Sequence, residues 1–344
     1  MKRIICLLII FILSVMLLPS GSAHVPLAPH DNTSIEAAFH IHEPTKSWAI
    51  YDEIHENHEA KYYSLEMGKG ERLRISIFTP EESAFSPVLV IMGEDYPYND
   101  TLPDHIEKPE GYGARVVAGE RPTEADYEPF TPTSYYNILD FDEHVNTAQT
   151  YFLAIYEPEN TGKFGLAVGY VEKFDVDEWI SVPIDVVNIH VWEGQSILFI
   201  LAPVLVTMVA GFALMFFPKF PYITPPENAV GFTFHLGGLL YIGSGFSIFV
   251  QMAVALSRAS VGPGVIVTSI FGLIPILLGL AIFKVVPRTE EEFKKDRIIK
   301  IGLLGVLGLV FWAGLLVGPV LILFGLAISI LTSYILKQAA EKNP

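Results

Sequence analysis

The chain has 344 residues, is 51% hydrophobic and carries a formal net charge of −16 at pH 7. Residues 24–194 contain 32 Asp and Glu against 10 Lys and Arg, whereas the rest of the chain contains 6 acidic and 12 basic residues, mostly at the edges of apolar runs. This composition excludes an ordinary soluble protein and an all-membrane one, and the acidic part disfavours nucleic acid as a partner. We expect one part in water and one in lipid.

Residues 1–23 have the layout of a cleaved secretory signal. Lys2 and Arg3 precede an apolar run over residues 4–18, and a small-residue site ends at Ala23. The alternative is a retained anchor helix, for which the run is short.

The position of the single cysteine limits the chemistry of the mature chain. Cys6 lies within the predicted signal. Cleavage after Ala23 would make His24 the first residue and leave neither a disulfide nor a thiol.

Residues 24–185 follow period two and are interrupted by turn residues, as the runs 72–78 and 163–170 illustrate. This pattern predicts an antiparallel all-β domain that forms a sandwich of two sheets. Residues 94–148 are rich in Pro, Asp, Glu, Gly and Tyr with weak periodicity, so we expect a long, partly ordered insertion at one end of the sandwich.

The order of the strand motifs points to a known family. The segments "YYSLEMGKGERLRISI", "SPVLVIMG" and "TYFLAIYEPENTGKFGLAVG" together resemble the pre-peptidase C-terminal domain family over roughly residues 45–170. The resemblance implies a jelly-roll-like sandwich with a non-catalytic accessory or binding role. In this chain, unlike the family's usual setting, a membrane part follows the domain.

The second half of the chain consists of apolar runs. Residues 186–195 are predicted to be a juxtamembrane connector, with Trp192 as an interface anchor. The predicted spans cover residues 196–217, 229–256, 264–286, 298–316 and 319–336. The last two divide a run of about 58 Å, twice the hydrocarbon thickness, at Gly318-Pro319. Residues 338–344 form a tail.

The distribution of basic residues predicts the orientation of these spans. Only Arg258 lies in the short loops expected outside. The loops and tail expected in the cytoplasm contain Lys219, Lys284, Arg288, Lys294, Lys295, Arg297, Lys300, Lys337 and Lys342. The positive-inside rule therefore predicts a multi-pass protein of the cell membrane with an extracytoplasmic N-terminal domain and a cytoplasmic C-terminus.

Histidines make copper the first cofactor to consider. The exported part contains His24, His30, His40, His42, His55, His58, His105, His144 and His190. A mature N-terminal His24 would offer an amine and a ring nitrogen to one metal ion, and His40 and His42 lie on one face of a predicted strand. The alternative is that these side chains are solvated surface groups.

Other metal sites and catalytic motifs find less support. The many carboxylates of residues 94–148 lack the alternating spacing of a calcium loop, so calcium is a weaker candidate than copper. The segment "HENHE" at residues 55–59 misses the zinc-protease spacing. The sequence contains neither a G-x-S-x-G motif nor a phosphate-binding glycine loop.

The predicted spans favour helix packing over transport. They contain no Asp or Glu, and His235 is their only imidazole. Tyr241, Ser244 and Gln251 share one helix face, which either packing or a pore would explain. The predicted packing glycines are Gly302, Gly305, Gly308, Gly314 and Gly318.

These observations lead to two functional hypotheses. The first is a non-enzymatic cell-envelope protein whose exported sandwich binds a partner and whose five helices anchor it in the bilayer beside other membrane or envelope proteins. The alternative is a copper-binding or copper-dependent redox membrane protein that uses His24.

Overall fold

The structure is a computed structural model that describes residues 24–80, 84–94, 96–216, 228–286 and 295–342. The predicted signal, with Cys6, lies outside the described residues, as do Lys219, Arg288 and Lys294.

The chain forms two compact units. The β unit comprises Met1–Thr123 and Tyr136–Phe174, and the helical unit comprises Glu124–Tyr135 and Asp175–Pro344. A short segment from within the β-rich half of the sequence thus belongs to the helical unit.

Eleven strands are present in the described residues. They are β1 (Val25–Leu27), β2 (Phe39–Ile41), β3 (Trp48–Ile54), β4 (Ala60–Met67), β5 (Arg72–Thr79), β6 (Val88–Glu94), β7 (Tyr112–Val117), β8 (Asp126–Glu128), β9 (Thr133–His144), β10 (Gln149–Tyr156) and β11 (Gly162–Val168).

The strands form two mixed sheets. One has the order β2-β4-β10-β6-β7, and the other has the order β1-β3-β11-β5-β9. β8 pairs with the first three residues of β9 in a hairpin of the helical unit. The pairs β1–β3 and β2–β4 are parallel, so the prediction of a purely antiparallel domain was wrong there. No hairpin connects either pair, and the turn geometry that enforces an antiparallel direction is therefore absent.

The main core of the β unit contains inward residues of both sheets, including Ile75, Leu153 and Leu166. The five-stranded sheet is also covered on its other face by a second cluster that includes Tyr62 and Ile106. Its central strands β4 and β10 are consequently buried on both faces.

Three strands lie within residues 94–148, where we predicted a partly ordered insertion. β9 is the longest, and it pairs with β5. The register shifts between Ile77 and Phe78, whose partners are Leu139 and Asn137. The extra residue, Ile138, changes the phase of inward and outward side chains, which explains the weak period-two signal.

Six helices are described. They are α1 (Val176–Trp192), α2 (Ile197–Met215), α3 (Ala229–Leu256), α4 (Gly264–Val285), α5 (Lys295–Val310) and α6 (Val317–Lys342).

The predicted connector over residues 186–195 is largely the end of helix α1. The amide of Asp175 donates to the Glu178 carboxylate at 2.7 Å and closes the first turn of this helix. Trp192, the predicted interface anchor, is the last helical residue and is half-buried.

Four helices are long and apolar enough to cross a membrane: α2, α3, α4 and the part of α6 from Val317 to Ile335. Helix α5 has 16 residues and measures about 24 Å, less than the hydrocarbon thickness of about 30 Å. The helical unit therefore has the length and composition of a multi-pass membrane protein.

The central helix of this unit is α3, which packs antiparallel to three others. A Cβ at Gly243 would contact Val204 of α2, one at Gly245 would contact the Gly272 carbonyl of α4, and one at Gly237 would contact the Gly318 carbonyl of α6. Small residues let these backbones approach closely, which is how helices associate in lipid.

The turn between α5 and α6 spans residues 311–316, just before the predicted break at Gly318-Pro319. Trp312, Gly314, Leu315 and Leu316 all have positive φ there. Pro319 lies in the first turn of α6, where its missing N–H costs little. The reversal thus depends on left-handed residues, which hydropathy does not reveal.

The predicted packing glycines lie on α5, the turn and α6. A Cβ at Gly308 or Gly318 would collide with the buried ring of Tyr241, one at Gly305 would approach Leu323, and one at Gly314 would approach Leu240. At Gly302 the nearest atom, on Leu326, is 3.4 Å away.

The close backbone contact between α3 and α4 predicts that an added methyl group destabilises the protein more at Gly245 than at Gly302. In Gly245→Ala the new Cβ would lie 2.5 Å from the Gly272 carbonyl oxygen. We expect a loss of about 1–3 kcal/mol in stability. Gly302→Ala is the control and should change stability by less than about 1 kcal/mol. Thermal unfolding of the detergent-solubilised protein measures both; equal losses would contradict close packing at Gly245.

Candidate functional site

An open cavity of about 480 Å³ lies in the β unit. Its wall is polar and comes from the β3–β4 loop, the start of β4 and two other loops. The lining residues are Thr33, His55, Glu56, Asn57, His58, Glu59, Ala60, Tyr62 and His105.

Glu59 holds the β3–β4 loop in shape. Its carboxylate accepts hydrogen bonds from the amides of His55 (2.5 Å) and Glu56 (3.1 Å) and lies 2.7 Å from the Lys61 ammonium. Burial raises the pKa of this carboxyl, but the hydrogen bonds and the charge of Lys61 outweigh burial and lower the pKa overall. At neutral pH the Glu59 carboxylate is therefore ionised, and its hydrogen bonds are made within the loop.

Two imidazoles meet at the wall of the cavity. The rings of His58 and His105 lie edge to face with centroids 5.3 Å apart, and His105 in turn contacts Tyr156 at 5.6 Å. Nε2 of His105 is buried and has no hydrogen-bond partner. Burial and the neighbouring His58 lower the pKa of His105, so this ring is neutral at pH 7. The unpartnered nitrogen of a neutral imidazole is able to accept a hydrogen bond or to coordinate a metal ion.

The structure separates the predicted copper ligands. His24 precedes β1, and its Nδ1 lies 2.6 Å from the hydroxyl oxygen of Ser47. His40 and His42 are exposed at β2, in the other sheet, with ring centroids 4.5 Å apart. Among the described residues, His, Cys, Asp and Glu form no group of three that could hold a metal ion. A copper site formed by His24, His40 and His42 stays a prediction.

His24 nevertheless has an unusual environment. Burial, together with the positive charge of Arg74, lowers its pKa from 6.5 to about 4. The ring is therefore neutral in the folded protein at pH 7.

The low pKa of His24 predicts a pH dependence of stability. Because the unfolded state binds the proton first on acidification, stability should fall between pH 6.5 and 4, by up to about 3 kcal/mol. His24→Gln should remove this part of the loss. The comparison is made by thermal unfolding of the full chain at pH 7 and pH 4.5. His30→Gln, which changes an exposed side chain, is the control, and identical pH profiles for wild type and His24→Gln would contradict the assignment.

A second polar cluster lies in the helical unit, at the end of the bundle where α1 meets α2. His190 is buried, and its Nδ1 lies 2.9 Å from a carboxylate oxygen of Glu193. The amide of Gln195 lies 3.5 Å from the same nitrogen and exchanges two hydrogen bonds with the amide of Gln251, at 2.8 and 2.9 Å. Gln251 thus has a partner within the protein.

The remaining polar groups of the α3 face also bond within the bundle. The hydroxyl of Ser244 accepts a hydrogen bond from the amide of Gly314 at 2.8 Å and donates to the carbonyl of Tyr241. The Tyr241 hydroxyl donates to the carbonyl of Leu304 at 3.4 Å. These contacts fix the α5–α6 turn and α5 on α3, as expected of packing groups.

Residues 124–135 cover the same end of the bundle. The hydroxyls of Tyr127 and Thr268 are 2.6 Å apart, and Thr268 also donates to the carbonyl of Pro129 at 2.7 Å. Burial raises the pKa of Glu128, and the charge of Glu193 adds to the shift, against hydrogen bonds from Thr131 and the Phe130 amide. The segment is therefore joined to α4 by buried polar contacts.

The paired glutamines predict a strong energetic coupling. Gln251→Leu alone leaves the half-buried amide of Gln195 without its Gln251 partner, so we expect a loss of about 1–3 kcal/mol in stability. Gln195→Leu with Gln251→Leu should recover much of it, because neither amide is then unpaired. A double-mutant cycle on the detergent-solubilised protein measures the coupling, and additive losses would contradict it.

The chain matches no known protein-family model, and no curated protein is detectably similar to it. The functional argument therefore depends on the geometry of the two units.

Every histidine that lines the cavity was named from the sequence, but the contact between His58 and His105 was not predicted. His58 and His105 are far apart in sequence, and no spacing motif connects them. The partner of Gln251 was also missed, because Gln195 precedes the first predicted span. Only the tertiary fold brings either pair together.

Proposed function

We propose that this chain is a non-enzymatic integral membrane protein of the cell envelope, with a β unit that binds a partner outside the membrane and helices that anchor it. One observation carries the proposal. In the described bundle, the polar groups of α3 bond to other parts of the bundle at Tyr241, Ser244 and Gln251. Such use of polar groups favours packing over conduction.

The charge distribution supports the orientation. Lys284, Lys295 and Lys300 lie at one end of the helical unit, where α4 ends and α5 begins. Arg258 lies at the other end, close to the bridge between Ala125 and Ala259. By the positive-inside rule the lysine-rich end is cytoplasmic and residues 124–135 are outside.

We propose that α5 is a fifth crossing despite its length. It is antiparallel to α6, since Gly305 approaches Leu323 and Gly302 approaches Leu326. Helix α5 and the turn that follows it, residues 311–316, extend along the bundle, and this turn is hydrogen-bonded to α3. The C-terminus would then be cytoplasmic.

Partner binding is supported by an aromatic surface of the β unit. Tyr98 is 39% exposed, and the Arg115 guanidinium lies 4.6 Å from the centre of its ring. Glu143 pairs with this guanidinium. Tyrosine and arginine dominate the energetics of many interfaces. The resemblance to the pre-peptidase C-terminal domain family, itself a proposal, agrees with a binding role.

Copper binding through His24 is the alternative function. The close approach of the His40 and His42 rings favours copper binding at that pair, which lies in the other sheet from His24. Mass spectrometry of the mature N-terminus and copper titration of His24→Ala distinguish the alternatives: a different first residue, or unchanged binding, removes His24 as a ligand.

Cysteine labelling tests the topology, because Cys6 is the only cysteine in the sequence. In a Cys6→Ser background, Val261→Cys, on a side chain that is 79% exposed, should react with a membrane-impermeant maleimide in intact cells. Gln338→Cys should react only after permeabilisation. Labelling of both from the same side would contradict five crossings.

Site-specific photocrosslinking tests partner binding. A photoreactive residue at position 98 should form one defined adduct with another envelope protein, and Arg115→Ala should reduce its yield. The matched control is position 170, where Tyr170 is similarly exposed at 38%. The proposal would be overturned if no specific adduct formed and the purified protein catalysed the turnover of a substrate.

A further inference from the structure

The histidines at the cavity wall form a pair in which His58 is exposed and His105 is half-buried. His58 lies at the end of the β3–β4 loop, and His105 lies in the connection between β6 and β7. Their ring centroids are 5.3 Å apart at an interplanar angle of 83°. Two imidazoles at this separation are close enough to bind one ion after small side-chain rotations.

The unpartnered nitrogen of His105 is a second, independent observation. Buried polar atoms are nearly always hydrogen-bonded, and an exception in a native fold calls for an explanation. Nε2 of His105 is such an exception among the described residues. A ligand in the adjacent cavity would give it a partner.

The other groups at the cavity narrow the kind of ligand. The Glu59 carboxylate is held by Lys61 and two amides, so it is not free to dominate binding. The His55 side chain is 63% exposed and lies 3.9 Å from Glu53. Thr33, Glu56 and Asn57 also offer oxygen atoms at the wall. The two close imidazoles nevertheless suit a late first-row transition metal better than calcium or magnesium, which prefer oxygen ligands alone.

We propose that His58 and His105 form a binding site for a divalent late first-row transition metal ion, with Cu²⁺ bound most tightly. Water molecules complete the coordination, because His, Cys, Asp and Glu of the described residues form no group of three here that could hold the ion. The site is separate from the partner-binding surface at Tyr98 and from the His24 site of the alternative function.

The other close imidazole pair is a weaker candidate. The rings of His40 and His42 are closer, with centroids 4.5 Å apart. Both side chains are exposed, however, and Nδ1 of His40 lies 3.2 Å from the hydroxyl of Ser64. Neither ring has a buried nitrogen that lacks a partner. This pair serves as the matched control.

The variants respect the local backbone. His58 has a φ of 68°, a conformation that asparagine tolerates better than alanine. His58→Asn and His105→Gln therefore remove the imidazoles without adding strain. The control variant carries His40→Gln and His42→Gln. All are made in the full chain, purified in detergent without a polyhistidine tag and compared by thermal unfolding.

Copper titration with electron paramagnetic resonance tests the site. The wild type should bind one Cu²⁺ whose spectrum shows coupling to imidazole nitrogens. Loss of an outer-shell partner alone costs about 10–100-fold in metal affinity, so each single variant should lose at least as much. The control variant should retain the spectrum. Zn²⁺ should compete for the wild-type site with lower affinity.

Three results would overturn the proposal: no Cu²⁺ binding by the wild type, an unchanged spectrum in the folded His58→Asn, His105→Gln double variant, or loss of the spectrum only in the control variant. The third result would favour the His24 alternative instead. None of these results depends on whether a protein partner crosslinks at position 98.

Discussion

Close backbone packing around helix α3 is the constraint on which the helical unit depends. Lipid surrounds apolar side chains as well as another helix does, so association in a membrane depends on van der Waals contact and internal hydrogen bonds. Gly243 and Gly245 bring α2 and α4 against α3. The same helix supplies Tyr241 to fill the space left by Gly308 and Gly318.

The polar groups of α3 have a structural role that follows from this packing. Once the helices are close, the amide of Gln251 reaches that of Gln195, and Ser244 reaches the amide of Gly314 in the left-handed turn. An unpaired polar group is costly in lipid, so these bonds select one arrangement of the helix ends. These bonds account for the polar side chains that share one face of α3.

The β unit has no disulfide in its described residues. Its stability therefore depends on the apolar surface that it buries. Its five-stranded sheet is covered on both faces, by the inner core and by loops that carry Ile106 and its neighbours. These loops also place His105 beside His58. Tyr62 thus belongs both to this second layer of packing and to the cavity wall.

The order of a β domain and apolar helices could be read from the sequence, because hydropathy depends on local composition. The limits of α3 and α4 were predicted nearly to the residue for the same reason. The parallel pairs and the phase change at Ile138 were not predicted, since sheet register and bulges depend on residues distant in the chain. Helix α1 was also missed, although its capping bond between Asp175 and Glu178 is local. Only the tertiary structure joined His58 to His105 and Gln195 to Gln251, and it assigned residues 124–135 to the helices, because each of these contacts connects segments that no local pattern relates.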